Sequence, residues 1–193
     1  FWLQPAIDGT ESRCYLPAAP TDVNDHIRDG GHGTRVAGAV LHGDTVPKEG
    51  RVNLESWVQN ARILDDDGDM PPELFPPNVL REVIKQYHEG VRKTRIFNHS
   101  INADAPCRTR HMSAWAAEID RLSGEYDILV IQSAGNVAAS RPGNRPGIAE
   151  LIQGGRTYPA YLSEPSCRIA NPAQSFQALT VGSVAYGAFE STG

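Results

Sequence analysis

The stretch His32-Gly33-Thr34-Arg35-Val36-Ala37-Gly38-Ala39-Val40 decides the fold predicted for this chain. It predicts a helix of small residues, opened by His32 and running from Thr34 to Leu41. The positive end of the helix macrodipole disfavours an imidazolium and favours the neutral ring that a general base requires. Three residues lack the bulk that would hold the helix away from a neighbouring strand: Gly33, Ala37 and Gly38.

Length, composition and charge predict one globular domain and exclude several kinds of partner. The chain has 193 residues, of which 40% are hydrophobic and 21% charged, enough for a buried core. The formal net charge of -5 argues against nucleic acid and against an anionic membrane surface as partners. No apolar run approaches the roughly 20 residues that cross a bilayer. The composition leaves the oligomeric state open.

The cysteines are few, odd in number and widely spaced: Cys14, Cys107 and Cys167. This pattern predicts neither a disulfide framework nor a zinc site. Free thiols in a reducing compartment are the favoured interpretation, which slightly favours a cytoplasmic location. One bridge plus a free thiol is the alternative.

Strand-like and helix-like segments alternate after Gly31. Strands are predicted at Ala61–Leu64, Thr94–Asn98, Tyr126–Gln132 and Ala178–Ala185, and helices at Val79–Tyr87 and Ser113–Gly124. This alternation predicts a three-layer α/β/α fold with a mainly parallel sheet, whose sites form beyond the carboxyl ends of the strands. The continuous apolar run Tyr126–Gln132 predicts a central strand buried on both faces. The stretch Ser140–Pro165, rich in Gly, Pro and Arg, predicts a surface excursion.

Four blocks of sequence, in this order, resemble the subtilisin-like serine peptidases (subtilases). The opening stretch is similar to the family pattern His-Gly-Thr-X-Val-Ala-Gly, and Arg95–Asn102 is similar to the strand Val-Ile-Asn-Met-Ser-Leu-Gly. Ser133–Asn136 resembles the Ala-Gly-Asn block. Asn171–Ala173, followed by the Ala178–Val184 strand, resembles Tyr-Pro-Ala and the strand after it. The resemblance runs from about Gly31 to Val184.

The resemblance implies a serine endopeptidase acting by acyl transfer on peptide or protein substrates, with no cofactor and no metal. His32 would be the general base, and the carboxamide of Asn136 would donate to the oxyanion across a shared cleft. For Asn136 alone, a turn residue that caps a strand is the simpler alternative. Ser100, Ile101 and Asn102 would pair with the substrate backbone.

Two substitutions in the substrate-binding strand depart from the family pattern. Asn102 replaces the usual glycine, and its side chain is expected to narrow or polarise the pocket. His99 replaces an apolar residue. The cleavage specificity of well-known subtilases is therefore not carried over to this chain.

Two members of the catalytic triad are not identified in these 193 residues. No Gly-Thr-Ser-Met-Ala motif or close variant occurs, and Asp8 is a poor candidate for the aspartate because Pro5 interrupts the preceding segment. Asp22, Asp25 and Asp29 stand too close to His32 for a separate strand and are predicted to be solvated loop charges. The expectation is that residues 1–193 form one partial peptidase domain, truncated at both ends and inactive alone.

Two other functions stay open. A subtilisin-like interaction module without catalysis is the main alternative, and a generic doubly wound binding domain is the weaker one. The acidic run Asp65–Asp69 does not fit an EF-hand calcium loop and is predicted to be solvated. The histidines show no metal-ligand spacing.

Overall fold

A computed structural model describes residues 11–27, 31–43, 49, 54, 56–139 and 145–183. The chain divides into two compact units, Phe1–Tyr87 and His88–Gly193. Among the described residues, no helix is long and apolar enough to cross a membrane.

The first unit contains two short parallel strands and the predicted helix. Strand β1 (Arg13–Cys14) pairs with β2 (Ala61–Arg62) in parallel. Helix α1 (His32–His42) begins at His32, which confirms the prediction. It ends at Gly43, whose φ of +65° is a conformation that glycine adopts without strain.

Helix α2 (Pro76–Glu89) spans the boundary between the two units. It begins with two prolines, a residue type whose fixed φ suits the first turn of a helix. Of the apolar side chains that recur at helical spacing, four are buried, namely Val79, Leu80, Ile84 and Tyr87, whereas Val83 is only partly buried. Within the first unit, the Tyr87 hydroxyl donates to the Asn60 carbonyl oxygen at 2.5 Å, and burial raises its pKa well above the usual range.

The second unit is built on a parallel sheet of three strands in the order β3-β4-β5. These strands are β3 (Ile96–His99), β4 (Leu129–Ser133) and β5 (Leu179–Val181), and β4 pairs with both neighbours in parallel. The predicted central strand is therefore confirmed, and with it the α/β class with a parallel sheet. It begins at Leu129 because helix α3 (Ala114–Tyr126) continues through Tyr126.

Helix α3 carries much of the buried apolar surface of the second unit. The Ser113 hydroxyl caps the helix by accepting from the Ala116 amide at 3.0 Å. The helix ends where Asp127 adopts the left-handed conformation. Its buried apolar residues are Trp115, Ala116, Ile119 and Leu122.

The burial of β4 differs from the prediction. Val130 and Gln132 are fully buried, whereas Leu129 is 40% exposed, so burial alternates along the strand. Ile96, Leu179 and Val181 on the neighbouring strands are exposed as well. The expectation that both faces of this strand are buried was wrong for the described structure, because a continuous apolar run does not reveal which face a helix covers.

The predicted surface excursion contains local helical structure. Helix α4 (Ile148–Gln153) buries Leu151 and leaves Ile152 half exposed, as expected of a short amphipathic segment. Two short 3₁₀ turns follow, at Ala160–Ser163 and Pro165–Cys167.

Candidate active site

His32 is the first residue of α1, and its side chain is exposed to solvent. The helix begins directly after Gly31, whose carbonyl oxygen accepts from the Arg35 amide at 3.2 Å. The local structure of His32 is thus compatible with the general base predicted from the sequence.

Asp25 holds the start of this helix. Its Oδ2 accepts from the Gly31 amide at 2.8 Å and from the Thr34 hydroxyl, and its Oδ1 accepts from the Ile27 amide at 3.1 Å. A Cβ atom on Gly31 would lie 2.6 Å from this carboxylate, so a larger residue at position 31 would force the Asp25 side chain to shift. Asp25 is exposed in its loop, as predicted, but it is more than a solvated charge, because its carboxylate accepts hydrogen bonds from Gly31 and Thr34 on either side of His32.

The pKa of the Asp25 carboxyl lies below its usual value. Partial burial acts to raise it, but the hydrogen bonds from Thr34, Ile27 and Gly31 together favour the charged form and outweigh the burial. The Asp25 carboxylate is therefore ionised at neutral pH.

Asp22 also has defined partners. Its carboxylate accepts from the Asn24 amide at 3.1 Å and from His26 Nε2 at 2.6 Å, and it pairs with Arg62 at 3.0 Å. The Asn24 hydrogen bond, followed by that from His26, lowers the pKa of Asp22 to about 2. Asp22 thus ties its loop to β2 rather than standing free in solvent as predicted. Asp8 and Asp29 lie outside the described residues.

In the second unit, the two segments predicted to bind substrate and oxyanion follow adjacent strands. Ser100, Ile101 and Asn102 come directly after β3, and Ala134–Asn136 comes directly after β4. Because β3 and β4 are parallel neighbours, both segments lie at the same edge of the sheet. The Ser100 hydroxyl accepts from the Asn98 carboxamide at 2.9 Å.

The side chain of Asn102 connects these two segments. Its Nδ2 donates to the Ser133 carbonyl oxygen at 2.9 Å. The carboxamide that replaces the family glycine is thus directed at the main chain of the neighbouring segment. Its hydrogen bond joins the end of β4 to the strand predicted to bind substrate.

The turn that precedes Asn136 requires glycine at position 135. Gly135 has a φ of +85°, and a Cβ atom there would lie 2.3 Å from the Ala170 Cβ. Its amide donates to the Ser133 hydroxyl at 3.1 Å. The Ala134 carbonyl oxygen accepts from the Ala170 amide at 2.8 Å. Asn136 follows this constrained turn and is exposed.

A third segment lies against the residues that directly follow Asn102. The Ala103 amide donates to the Asn171 carbonyl oxygen at 2.8 Å, and the Asn171 amide donates to Ala105 at 3.0 Å. The Thr180 hydroxyl donates to the Ala173 carbonyl oxygen at 2.9 Å. The block Asn171–Ala173, identified from its sequence, is therefore adjacent to the block that begins at Ser100.

The sequence analysis missed a buried polar pair beside these segments. His99 Nδ1 and Gln132 Oε1 are 2.6 Å apart, and both residues are buried. The sequence contained one indication of it, since His99 stands where the family pattern has an apolar residue. Burial lowers the pKa of His99, and the hydrogen bond with Gln132 opposes this only in part, so the ring is neutral.

The acidic run Asp65–Asp69 forms a local turn. Asp65 Oδ1 accepts from the Asp67 amide at 3.0 Å and from the Asp69 amide at 2.9 Å. Within the part of the chain that the structure describes, no group of three or more His, Cys, Asp or Glu side chains could hold a metal ion.

His32 and Asn136 belong to different units of the chain. Their predicted proximity across one cleft stays a prediction, as do their catalytic roles and those of Ser100, Ile101 and Asn102.

The sequence was compared with protein families and with individual known proteins. The model of the subtilase family matches residues 2–189. The chain is also similar to a protein of Sinorhizobium fredii described as "Uncharacterized protein y4bN", with 40% identity over 121 residues. The match covers 58% of this chain and 24% of that relative, so the chain spans about a quarter of the relative's length.

Proposed function

This chain belongs to the subtilase family, and from that premise we propose that it is part of a serine endopeptidase in which His32 is the general base and Asn136 the oxyanion donor. The family is one of serine peptidases, so peptides or proteins are the substrate class. His32 would take the proton from the attacking serine hydroxyl and later deliver it to the leaving amine.

The observation that carries the proposal is the arrangement at the carboxyl ends of β3 and β4. There the Asn102 carboxamide links the segment Ser100–Asn102 to Ser133, three residues before Asn136. A turn held by Gly135 and Ala170 then exposes Asn136. A neutral donor on a rigid turn is what stabilisation of an oxyanion requires, since the donor must be in place before charge develops.

The geometry at α1 supports the role of His32. The ionised Asp25 carboxylate fixes the first turn through Gly31 and Thr34, and His32 lies between these two residues. These hydrogen bonds hold in place the backbone that carries the His32 side chain.

Peptide substrates would bind through Ser100, Ile101 and Asn102 by main-chain pairing, which reads the backbone more than the side chains. The Asn102 side chain occupies a position where the family has glycine. We therefore propose that this side chain narrows or polarises the pocket for the residue before the scissile bond, relative to family members with glycine at this position.

The direct test is labelling with a serine-directed fluorophosphonate. The 193-residue chain contains no Gly-Thr-Ser motif, so we expect no labelling of this chain. Expressed within its complete coding sequence, the protein should label at one serine, and H32A should abolish labelling. H42A, at the opposite end of α1, is the matched control and should leave labelling intact.

Replacement of Asn136 tests the second role. N136A should lower kcat for a peptide substrate roughly 100- to 1000-fold, a magnitude taken from the corresponding donor in subtilisin, a member of the same family. N78A removes an exposed carboxamide on α2 and should not affect kcat.

A full-length H32A protein that still labels at the wild-type rate would contradict the assigned base.

A non-catalytic subtilisin-like interaction module is the second candidate. The observation that favours it is the lack of an identified nucleophile motif within these 193 residues. Under this alternative, the folded full-length protein would never label, whereas it would still bind a partner through the subtilase fold.

A further inference from the structure

The buried pair His99 and Gln132 lies directly beside the two segments of the proposed site. Gln132 is fully buried in β4, and its Nε2 donates to the carbonyl oxygens of Ser133 at 2.9 Å and Ile101 at 3.3 Å. Its Oε1 accepts a hydrogen bond from His99. A single side chain is thus bonded to the main chain of both segments.

His99 determines which way the Gln132 amide faces. A glutamine carbonyl oxygen only accepts hydrogen bonds, so His99 Nδ1 carries the proton. The His99 ring is itself held edge-to-face against Trp115, with ring centroids 5.3 Å apart. Rotating the amide by half a turn would place its oxygen against two carbonyl oxygens, an arrangement that burial makes costly.

We propose that Gln132, oriented by His99, is a positioning residue that holds the substrate-binding segment Ser100–Asn102 at a fixed distance from the Ser133–Asn136 turn. The inference rests on the proposed function, which assigns the two segments their roles. The subtilase pattern has an apolar residue at the position of His99, so this polar pair is a departure from the family pattern.

The first test measures amide hydrogen exchange in the full-length protein carrying Q132M, which preserves size but removes the hydrogen bonds. Exchange of the Ala103 and Gly135 amides should accelerate roughly tenfold, the effect of losing about one buried hydrogen bond. The amides of α3 should keep their wild-type rates. Unchanged exchange at Ala103 and Gly135, or equal acceleration throughout the His88–Gly193 unit, would overturn the proposal.

S175A is the matched control. Ser175 is buried in the same unit, and its hydroxyl donates to Asp120 at 2.5 Å and accepts from the Ala178 amide at 3.2 Å, partners that lie outside both segments. Loss of the Ser175 hydroxyl should leave hydrogen exchange of the Ala103 and Gly135 amides unchanged. If S175A accelerates these amides as much as Q132M, the effect is general destabilisation and the proposal is wrong.

A second pair of variants decides the question if Q132M does not fold. H99L removes the donor that orients Gln132, whereas H99Q can still donate a hydrogen bond to it. We expect accelerated exchange at Ala103 and Gly135 in H99L and near-wild-type exchange in H99Q. Identical behaviour of the two variants would refute orientation by a hydrogen bond.

Kinetics provide the functional measurement. The kcat/KM of Q132M for a peptide substrate should fall at least tenfold, with S175A near wild type. Accelerated exchange with unchanged kcat/KM would refute the positioning role. If the wild-type protein hydrolyses no peptide, the proposed function fails, while the exchange measurement still decides whether Gln132 holds the two segments.

Discussion

Replacing Gly135 with alanine tests the geometry of the turn that carries Asn136. Gly135 combines a φ of +85° with close approach to Ala170. The substitution adds one methyl group and changes neither charge nor hydrogen bonding. Its effect on stability therefore measures how tightly this turn is packed.

The expected destabilisation has two parts. An L-residue in a left-handed conformation costs about 1–2 kcal/mol. The added Cβ would lie 2.3 Å from the Ala170 Cβ, far inside van der Waals contact, and relieving such overpacking costs about 1–3 kcal/mol. We therefore expect G135A to lower the free energy of unfolding by about 2–5 kcal/mol.

Gly155 provides a control that separates the two parts. It has the same φ of +85°, but a Cβ atom there would meet no atom within 4 Å. G155A should therefore cost only the conformational part, about 1–2 kcal/mol. Urea unfolding, followed by circular dichroism and by tryptophan fluorescence, measures both variants, and the two probes must agree for a two-state analysis.

The double variant G135A/A170G completes a thermodynamic cycle. Removing the Ala170 methyl group should recover the overpacking part, a coupling of about 1–3 kcal/mol between the two positions. If G135A costs no more than G155A, the contact with Ala170 does not destabilise the variant and the turn is not tightly packed. A coupling smaller than about 0.5 kcal/mol, the usual error of additivity, would lead to the same conclusion.

Three further substitutions test local features. Asp25→Ala should destabilise the protein by about 1 kcal/mol at pH 7 through loss of the hydrogen bonds from the Gly31 amide and the Thr34 hydroxyl. Because the folded-state pKa of Asp25 is lowered, this contribution is complete above the unfolded value near 3.9 and is lost as the pH falls through the folded pKa, so thermal melts should converge with wild type in strong acid. Asn102→Gly should cost about 1–2 kcal/mol in urea unfolding, since it removes the hydrogen bond to Ser133 and adds backbone freedom. Ser113→Ala should cost about 1 kcal/mol by uncapping α3, with no change in exchange at Gly135.

Sequence analysis was most successful where structure depends on local patterns. Three such features were predicted: the helix that begins at His32, the helical spacing of the buried residues in α2, and the central parallel strand β4. The ends of helices and strands, and the face of a strand that is buried, were predicted less well. The prediction placed the start of β4 at Tyr126, but α3 extends to that residue. An apolar side chain is equally compatible with the end of a helix and the start of a strand, so the sequence pattern does not locate the boundary.

By itself, the sequence determined the α/β class, the family and the candidate residues His32 and Asn136. Each of these depends on short motifs and periodicities and on the order in which they follow one another along the chain. Other features became visible only in the folded chain: the hydrogen bonds of Asp25 to Gly31 and Thr34, the bond from Asn102 to Ser133, the packing of Gly135 on Ala170 and the bonds of Gln132 to both segments. The physical reason is that a hydrogen bond or a methyl contact depends on distances of 2–4 Å, and only the folded chain sets such distances between residues far apart in sequence.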